Sequence, residues 1–213
     1  MARPLTPLLS EARILDAVRR LSVDGDFTLA QLARELDVRV SSIYHHVPSK
    51  AAIVHLLRRD WIHRLREQLG ESSGRERLSR IVRSYAAFAS EIPALVPHLI
   101  TEPLHDDELT WLYEELAATL ADLGVPETRI VPLIGTIDAI VMGAAFDLLA
   151  PPFQASEVSE DAHPRLSAAL ATLPEDTDRR EHLAGMIDHL LAGLLGEDPE
   201  RFIAAREADA STP

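Results

Sequence analysis

The sequence predicts an all-α protein, and three observations carry that prediction. Leu and Ala dominate a 213-residue chain that is 46% hydrophobic but only 5% aromatic. Apolar residues recur at three- and four-residue spacing in one segment after another, while no run alternates apolar and polar residues long enough to make a strand. Ser, Thr, Asp and Pro stand where such segments begin, and Gly stands where several end. The length suits one large domain, or a small domain joined to a larger one.

The first helix spans about Ser10 to Ser22, with Ile14, Leu15, Val18 and Leu21 on one face, and Asp24-Gly25-Asp26 breaks it. Thr28 and Gln31 then form a capping box, the Thr28 hydroxyl accepting from the third helical N–H and Gln31 reaching back to the cap. In this short second helix Leu32, Ala33 and Leu36 face inward. Asp37-Val38-Arg39 connects it to a third, from about Val40 to His46. Pro48 disfavours helical geometry at Val47, and Ser49 caps a long fourth helix from Lys50 to Leu69. Val54, Leu57, Trp61, Leu65 and Leu69 form its apolar stripe. This pattern predicts a three-helix domain over residues 1–50, with the fourth helix, to about 69, as connector.

A larger domain is expected over 70–213. Ser73 and Glu76 read as a second capping box, opening a helix to about Glu91. Pro93 starts a short helix ending near Thr101. Asp106 caps another through Leu123, closed by Gly124. Pro126 takes the first position of the next, which runs to about Ala150 with a bend expected at Pro132 or Gly135. Pro151 and Pro152 end it. Residues 153–163 read as a polar loop, followed by helices over about 164–173 and 177–195 and a frayed tail after Pro199. No internal repeat is visible.

The net charge of −13 is unevenly placed. Residues 1–70 hold eleven Lys and Arg against eight Asp and Glu, whereas residues 71–213 hold ten against twenty-six. Phosphate binding depends on the patch facing the duplex, so a mildly basic head on an acidic body leaves DNA binding open. With no cysteine, disulfides and thiolate metal sites are excluded. Met1 to Leu9 lacks a signal-peptide core, and no uninterrupted apolar segment reaches membrane-spanning length, so a soluble, cytoplasmic protein with no membrane partner is expected. No Ser-His-Asp spacing, Gly-rich phosphate loop or His-Glu-x-x-His pattern points to an enzyme. His105-Asp106-Asp107 begins a helix, where Asp caps belong. Adjacent His45 and His46 do not share a helix face, so no metal is expected there, and no cofactor is implied.

Thr28, Leu32, Ala33, Leu36, Val38, the run Ile43-Tyr44-His45-His46-Val47 and Lys50 together resemble the DNA-binding domain of the TetR family, over Phe27 to Ile53. The residues agree physically: Leu32, Leu36, Val38, Ile43 and Val47 pack two helices at a wide angle and hold the second as a rigid reading element. Arg39, Val40, Ser41, Ser42 and His45 then face outward, where serines meet base edges and Val40 a thymine methyl. Tyr44 and His46 suit phosphate, as their family counterparts do, and Thr28 completes the DNA-facing set. Lys50, the only lysine in the chain, falls at a helix N-terminus, where positive charge is unfavourable to the dipole unless a phosphate also sits there. Arg3 either reaches the DNA or belongs to a frayed terminus.

His98-Leu99-Ile100-Thr101-Glu102-Pro103 is similar to the segment that supplies the drug-magnesium histidine in tetracycline-binding repressors. By that resemblance His98 lines a pocket; by its chemistry it serves equally well as a satisfied polar group between helices. Two departures, Arg66 where those repressors carry a drug-contacting histidine and Glu102 where they carry an arginine, argue against a tetracycline-magnesium ligand. The expected cavity lies near Trp61, Leu65, Arg66, Leu95, His98, Thr101, Trp111, Glu115, Ile137 and Met142, and takes an apolar or amphipathic small molecule oriented by Glu115 or His98. Ile130, Val131, Ile134, Ile137, Ile140, Val141 and Phe146 make the helix near 126–150 apolar on several faces. Met186, Ile187, Leu190, Leu191, Leu194 and small Gly193 do the same near 177–195. These two helices resemble the family's dimer-forming bundle. The resemblance implies a homodimer on a palindromic operator in double-stranded DNA, most often a repressor released by an inducer; activation remains the alternative.

Overall fold

The computed structural model describes residues 9–23, 25–101, 107–150, 158–172 and 179–196. The described segments are helical: α1 (Glu11–Val23), α2 (Leu29–Glu35), α3 (Val40–His46), α4 (Lys50–Leu69), α5 (Gly74–Glu91), a 3₁₀ turn (Pro93–Leu95), α6 (Val96–Thr101), α7 (Asp107–Asp122), α8 (Glu127–Asp147), α9 (Pro164–Leu170) and α10 (Arg179–Leu195). No strand occurs among them.

The Thr28 capping box forms as expected. The Thr28 hydroxyl accepts from the Gln31 amide at 3.2 Å, and the Thr28 amide donates to Gln31 Oε1 at 2.8 Å. The turn between α2 and α3 closes with a Schellman pattern in which Val38 N donates to Ala33 O at 3.0 Å and Asp37 N to Arg34 O at 3.1 Å. Asp37 takes the left-handed position there, with φ of 53°, one that glycine usually fills. The same device closes α7 at Gly124, φ 82°, with Val125 N on Leu120 O at 3.0 Å and Gly124 N on Ala121 O at 2.9 Å.

Two sequence expectations require correction. Ser73 is the N-cap of α5 but its side chain makes no capping bond. The Glu76 carboxylate instead pairs with Arg80 one turn on, at 2.6 Å, so the second capping box does not form. Glu127–Asp147 is a 21-residue helix with an 18-residue window of mean hydropathy 1.7, long and apolar enough to cross a membrane by length and composition only, although it is not an uninterrupted apolar segment. Isolated polar residues such as Asp138 interrupt its apolar run without lowering its average enough. Pro126 is the N-cap of α8 rather than its first residue, a one-residue offset. Asp106, 153–157, 173–178, Pro199 and Arg3 lie outside the described residues.

α5 is the central element. It packs against α4, α7, α8 and α10, while α1 leans on α2, α4 and the 3₁₀ turn. Ile14, Val18, Leu32, Ile43, Val47, Ile53 and Leu57 make the apolar centre of the N-terminal end. Leu78, Ile81, Val82, Leu112, Leu116, Ile137 and Val141 continue the same core through the larger end. Trp61 stacks on Phe88 (centroids 4.5 Å) and on Tyr85 (5.2 Å), and its indole N–H donates to Ser84 Oγ at 2.9 Å. This stack ties α4 to α5 and leaves one side open to a cavity.

Candidate nucleic-acid interface and effector cavity

α3 is anchored by its buried side and leaves the other exposed. Ile43 and the following Val47 are fully buried against α1, α2 and α4 residues. With that face inward, the helical repeat turns Val40, Ser41, Tyr44 and His45 outward. All four are exposed, Tyr44 at 53%; Arg39 and His46 are exposed too and Ser42 half-buried. Thr28 is exposed, but its hydroxyl is engaged in the cap of α2. Val40, Ser41, Tyr44 and His45 thus share the outward face of α3, while Thr28, Arg39 and His46 are exposed elsewhere on the N-terminal end.

Lys50 is the exception in detail. It stands at the first position of α4, beyond the Ser49 cap that accepts from Ala52 N at 3.1 Å. Its ammonium pairs with the Asp26 carboxylate and sits 5.4 Å from the centre of the Phe27 ring. The hydrogen bond from Lys50 holds the Asp26 carboxyl below the usual carboxylate range, and a nearby His98 adds to the effect against an opposing cost of burial.

The largest departure concerns the cavity. A recess of about 550 Å³, partly open to solvent, lies among α4, α5, α6, α7 and α8, lined by Arg58, Trp61, Tyr85, Phe88, Leu99, Ile100, Leu109, Tyr113, Asp138 and Met142 together with Gly135, Ala139 and Gly143. Only Trp61 and Met142 of the ten residues expected there line it. Leu95 and Ile137 are core residues with no exposure. Leu65 lines a separate groove between α4 and α5. Arg66 is exposed and lays its guanidinium over the Trp111 ring, 4.5 Å from its centre, which removes both from the cavity. Glu115 is held by Arg77 at 2.5 Å, and the exposed Thr101 hydroxyl donates to the Pro97 carbonyl at 2.8 Å. His98 is half-buried, and neither it nor Glu115 lines this recess.

The polar groups that do face it are Arg58, Tyr85, Tyr113 and Asp138. Arg58 is only 3% exposed, and Asp138 accepts from the Tyr113 hydroxyl at 2.8 Å through Oδ2. Burial pushes the Asp138 carboxyl above its ordinary range, while the hydroxyls of Tyr113 and Tyr85 pull the other way. Burial, and the neighbouring Asp138 and Tyr113, hold the Tyr85 phenol well above its usual value. Asp138 Oδ1 is buried without a hydrogen-bond partner among the described residues, a costly arrangement unless something donates to it. Sequence patterning had a signal for two of these residues. Asp138 is a lone acid inside the apolar run of α8, and Arg58 lies on the Val54–Trp61 stripe of α4. The tyrosines gave none, since an aromatic on an apolar face is ordinary core.

The groove holding Leu65 is similar in size, about 580 Å³, and is bordered by Arg64, Arg80 and Arg83. Each of these pairs with an acid, Asp60 at 3.1 Å, Glu76 at 2.6 Å and buried Asp188 at 2.7 Å.

Neither a family model nor a curated protein matches the sequence. Solved structures do match. A possible TetR family transcriptional regulator from Streptomyces coelicolor A3(2) aligns with a TM-score of 0.67 at 18% identity, over 87% of this chain and 98% of that one. The Streptomyces coelicolor TetR family protein ActR in complex with actinorhodin gives 0.57 at 20% identity, over 88% and 97%. A single-substitution variant of TetR from Acinetobacter baumannii AYE in complex with minocycline gives 0.53 at 17% identity, over 96% and 99%. The chain has the TetR-family fold.

In the TetR fold of this chain, α8 presents an unusual outer surface. Val131 is 76% exposed and Phe146 51%, and small Gly135, Thr136, Ala139 and Gly143 are exposed or half-buried between them. Met186 on α10 is exposed as well. A helix this apolar would ordinarily bury more of its circumference.

Proposed function

We propose that this protein is a ligand-responsive, DNA-binding transcriptional regulator, a repressor released from a palindromic operator by a small-molecule inducer. The observation that carries the proposal is the α3 face: Val40, Ser41, Tyr44 and His45 exposed together on a helix whose other side, through Ile43, is completely buried. A helix locked in this way presents its polar edge without cost of rearrangement, as major-groove reading requires.

On this reading residues 1–50 are the reading head, α4 is the connector to about 69, and residues 70–213 form the sensing and dimerising part. The exposed apolar stripe of α8, together with α10, meets the same surface of a second copy. Two heads then span successive major grooves, about 34–36 Å apart. The chain carries out no catalysis, needs no cofactor and works in the cytoplasm, where its operator is.

The cavity beside the Trp61 stack is the effector site. Its volume is in the range that holds a small organic ligand, and two fold neighbours hold small molecules, actinorhodin and minocycline. Leu99 and Ile100 of α6 line it, and α6 also touches α4, whose first residue is Lys50. A ligand that shifts α6 alters the seat of α4 and the neighbourhood of the Asp26–Lys50 pair. Operator affinity falls by the ligand's preference for the shifted form, typically about 1–3 kcal/mol.

Selection of binding sites from genomic fragments by the purified protein supplies the operator. Tyr44→Ala with Lys50→Ala then weakens binding to it by at least tenfold, on the order of 1.4 kcal/mol, with the sedimentation profile unchanged. Retention of full operator affinity by that double variant overturns the assignment of the DNA face.

A further inference from the structure

We infer that the effector is a flat aromatic molecule bearing a hydroxyl group, and that the hydroxyl donates to Asp138 Oδ1. The inference rests on the reading of the α4–α8 cavity as the effector site and names the chemistry which that site selects.

Three features converge. The first is shape. Trp61, Phe88 and Tyr85 lie nearly parallel, with interplanar angles of 5° and 16°, and all three line the cavity. Their near-parallel stacked rings give the cavity an aromatic side whose ring orientation suits a fused or linked ring system. The opposite side is α8, where Gly135, Ala139 and Gly143 stand at four-residue spacing on the lining. These residues are also exposed on the outer stripe of α8, so they border the open side of the recess, where their small side chains leave room for a flat ring.

The second is an unmet bond. Asp138 projects from that same helix; the Tyr113 hydroxyl donates to its Oδ2, and the Tyr85 hydroxyl also favours its ionised form, but neither makes a hydrogen bond to Oδ1. Oδ1 is buried and has no partner among the described residues. A carboxylate oxygen accepts and does not donate, so the missing partner must be a donor. Water can supply one when the cavity is empty, but a ligand without a donor would strip that water and leave the oxygen bare.

The third is charge. Buried Arg58 lines the same cavity and lies close enough to Tyr85 to favour its ionised form, against Asp138, which disfavours it. The cavity therefore holds one positive and one negative side chain. A cation meets the guanidinium and an anion meets the carboxylate. A neutral aromatic with a phenolic hydroxyl meets the carboxylate with a donor and brings no net charge to the site.

A matched pair tests this: a hydroxyflavone and its O-methyl ether, titrated calorimetrically into the full-length protein and into Asp138→Ala. The wild type is expected to bind the phenol at least about tenfold more tightly than the ether, the discrimination a hydrogen bond to a charged acceptor provides. In Asp138→Ala the preference falls to about one, while the ether still binds, which reports an intact aromatic side. Equal binding of phenol and ether by the wild type, or a preference that survives in Asp138→Ala, overturns the inference and leaves the cavity as an effector site of other chemistry. Binding of neither compound by the wild type overturns the effector-site reading and this inference with it. Preference for the corresponding aromatic ammonium over the phenol also overturns it, since Arg58 would then not be excluding cations.

Discussion

The pairing of Lys50 with Asp26 implies that operator binding competes with an intramolecular ion pair. On the proposed reading Lys50 contacts a phosphate, yet its ammonium is already held by Asp26 and lies over the Phe27 ring. Its side chain is 21% exposed while that of Asp26 is 71% exposed, so the pair sits at the surface and is screened. Pairs of this kind contribute roughly 0.2–1 kcal/mol. The Asp26→Ala variant frees Lys50 in each of the two heads of a dimer, for a combined gain of roughly 0.4–2 kcal/mol, or about 2- to 30-fold in affinity. Fluorescence anisotropy with a labelled operator measures it. Removing any acid near DNA raises affinity somewhat, so the decisive comparison is in the Lys50→Ala background, where Asp26→Ala should do little. Lys50→Ala should itself lower the salt slope by about one for each phosphate the ammonium neutralises. An equal gain from Asp26→Ala with and without Lys50 refutes the reasoning, because the effect would then be bulk charge and not release of a specific pair.

Other outcomes follow from single residues. Asp138→Asn should raise the melting temperature at neutral pH. A carboxyl whose pKa rises on folding above 3.8 binds its proton more tightly when native, so stability declines as pH climbs from 3.8 through the raised value. The neutral amide escapes that cost, and its advantage in thermal melts should vanish below about 3.8, the ordinary value; a constant difference at all pH values contradicts the assignment. Asp37→Gly should stabilise the turn between α2 and α3 by up to about 1 kcal/mol in denaturant titration, since only glycine occupies φ of 53° without steric cost. Val131→Glu with Phe146→Glu places charges on the exposed stripe of α8 and should turn a sedimenting dimer into a monomer whose far-ultraviolet circular dichroism is unchanged.

Much of the helical order was legible because local chemistry dictates it. The α3 and α4 boundaries follow from Pro48 and Ser49, and the α2 cap from Thr28 and Gln31, each a matter of a few neighbouring residues. The Ser73 box failed for an equally local reason: the same spacing that suits Glu76 to a cap suits it to Arg80, and the ion pair formed instead. The reading face of α3 could be assigned in advance because burying Ile43 on a short helix leaves only one orientation for Tyr44 and His45.

The cavity was not legible in the same way. Its lining comes from five helices distant in sequence, and whether an aromatic or polar side chain ends in core, cleft or ion pair depends on what packs opposite. Glu115 and Arg77 are 38 positions apart and meet only in the folded bundle, while Trp61, Tyr85 and Asp138 converge from α4, α5 and α8. Sequence alone therefore determined most of the helices, the Thr28 and Ser49 caps and the exposed edge of α3, because these depend on covalent neighbours and on periodicity. Tertiary structure alone decided which carboxylate is left short of a donor inside the bundle, because burial and hydrogen-bond satisfaction are properties of the assembled packing.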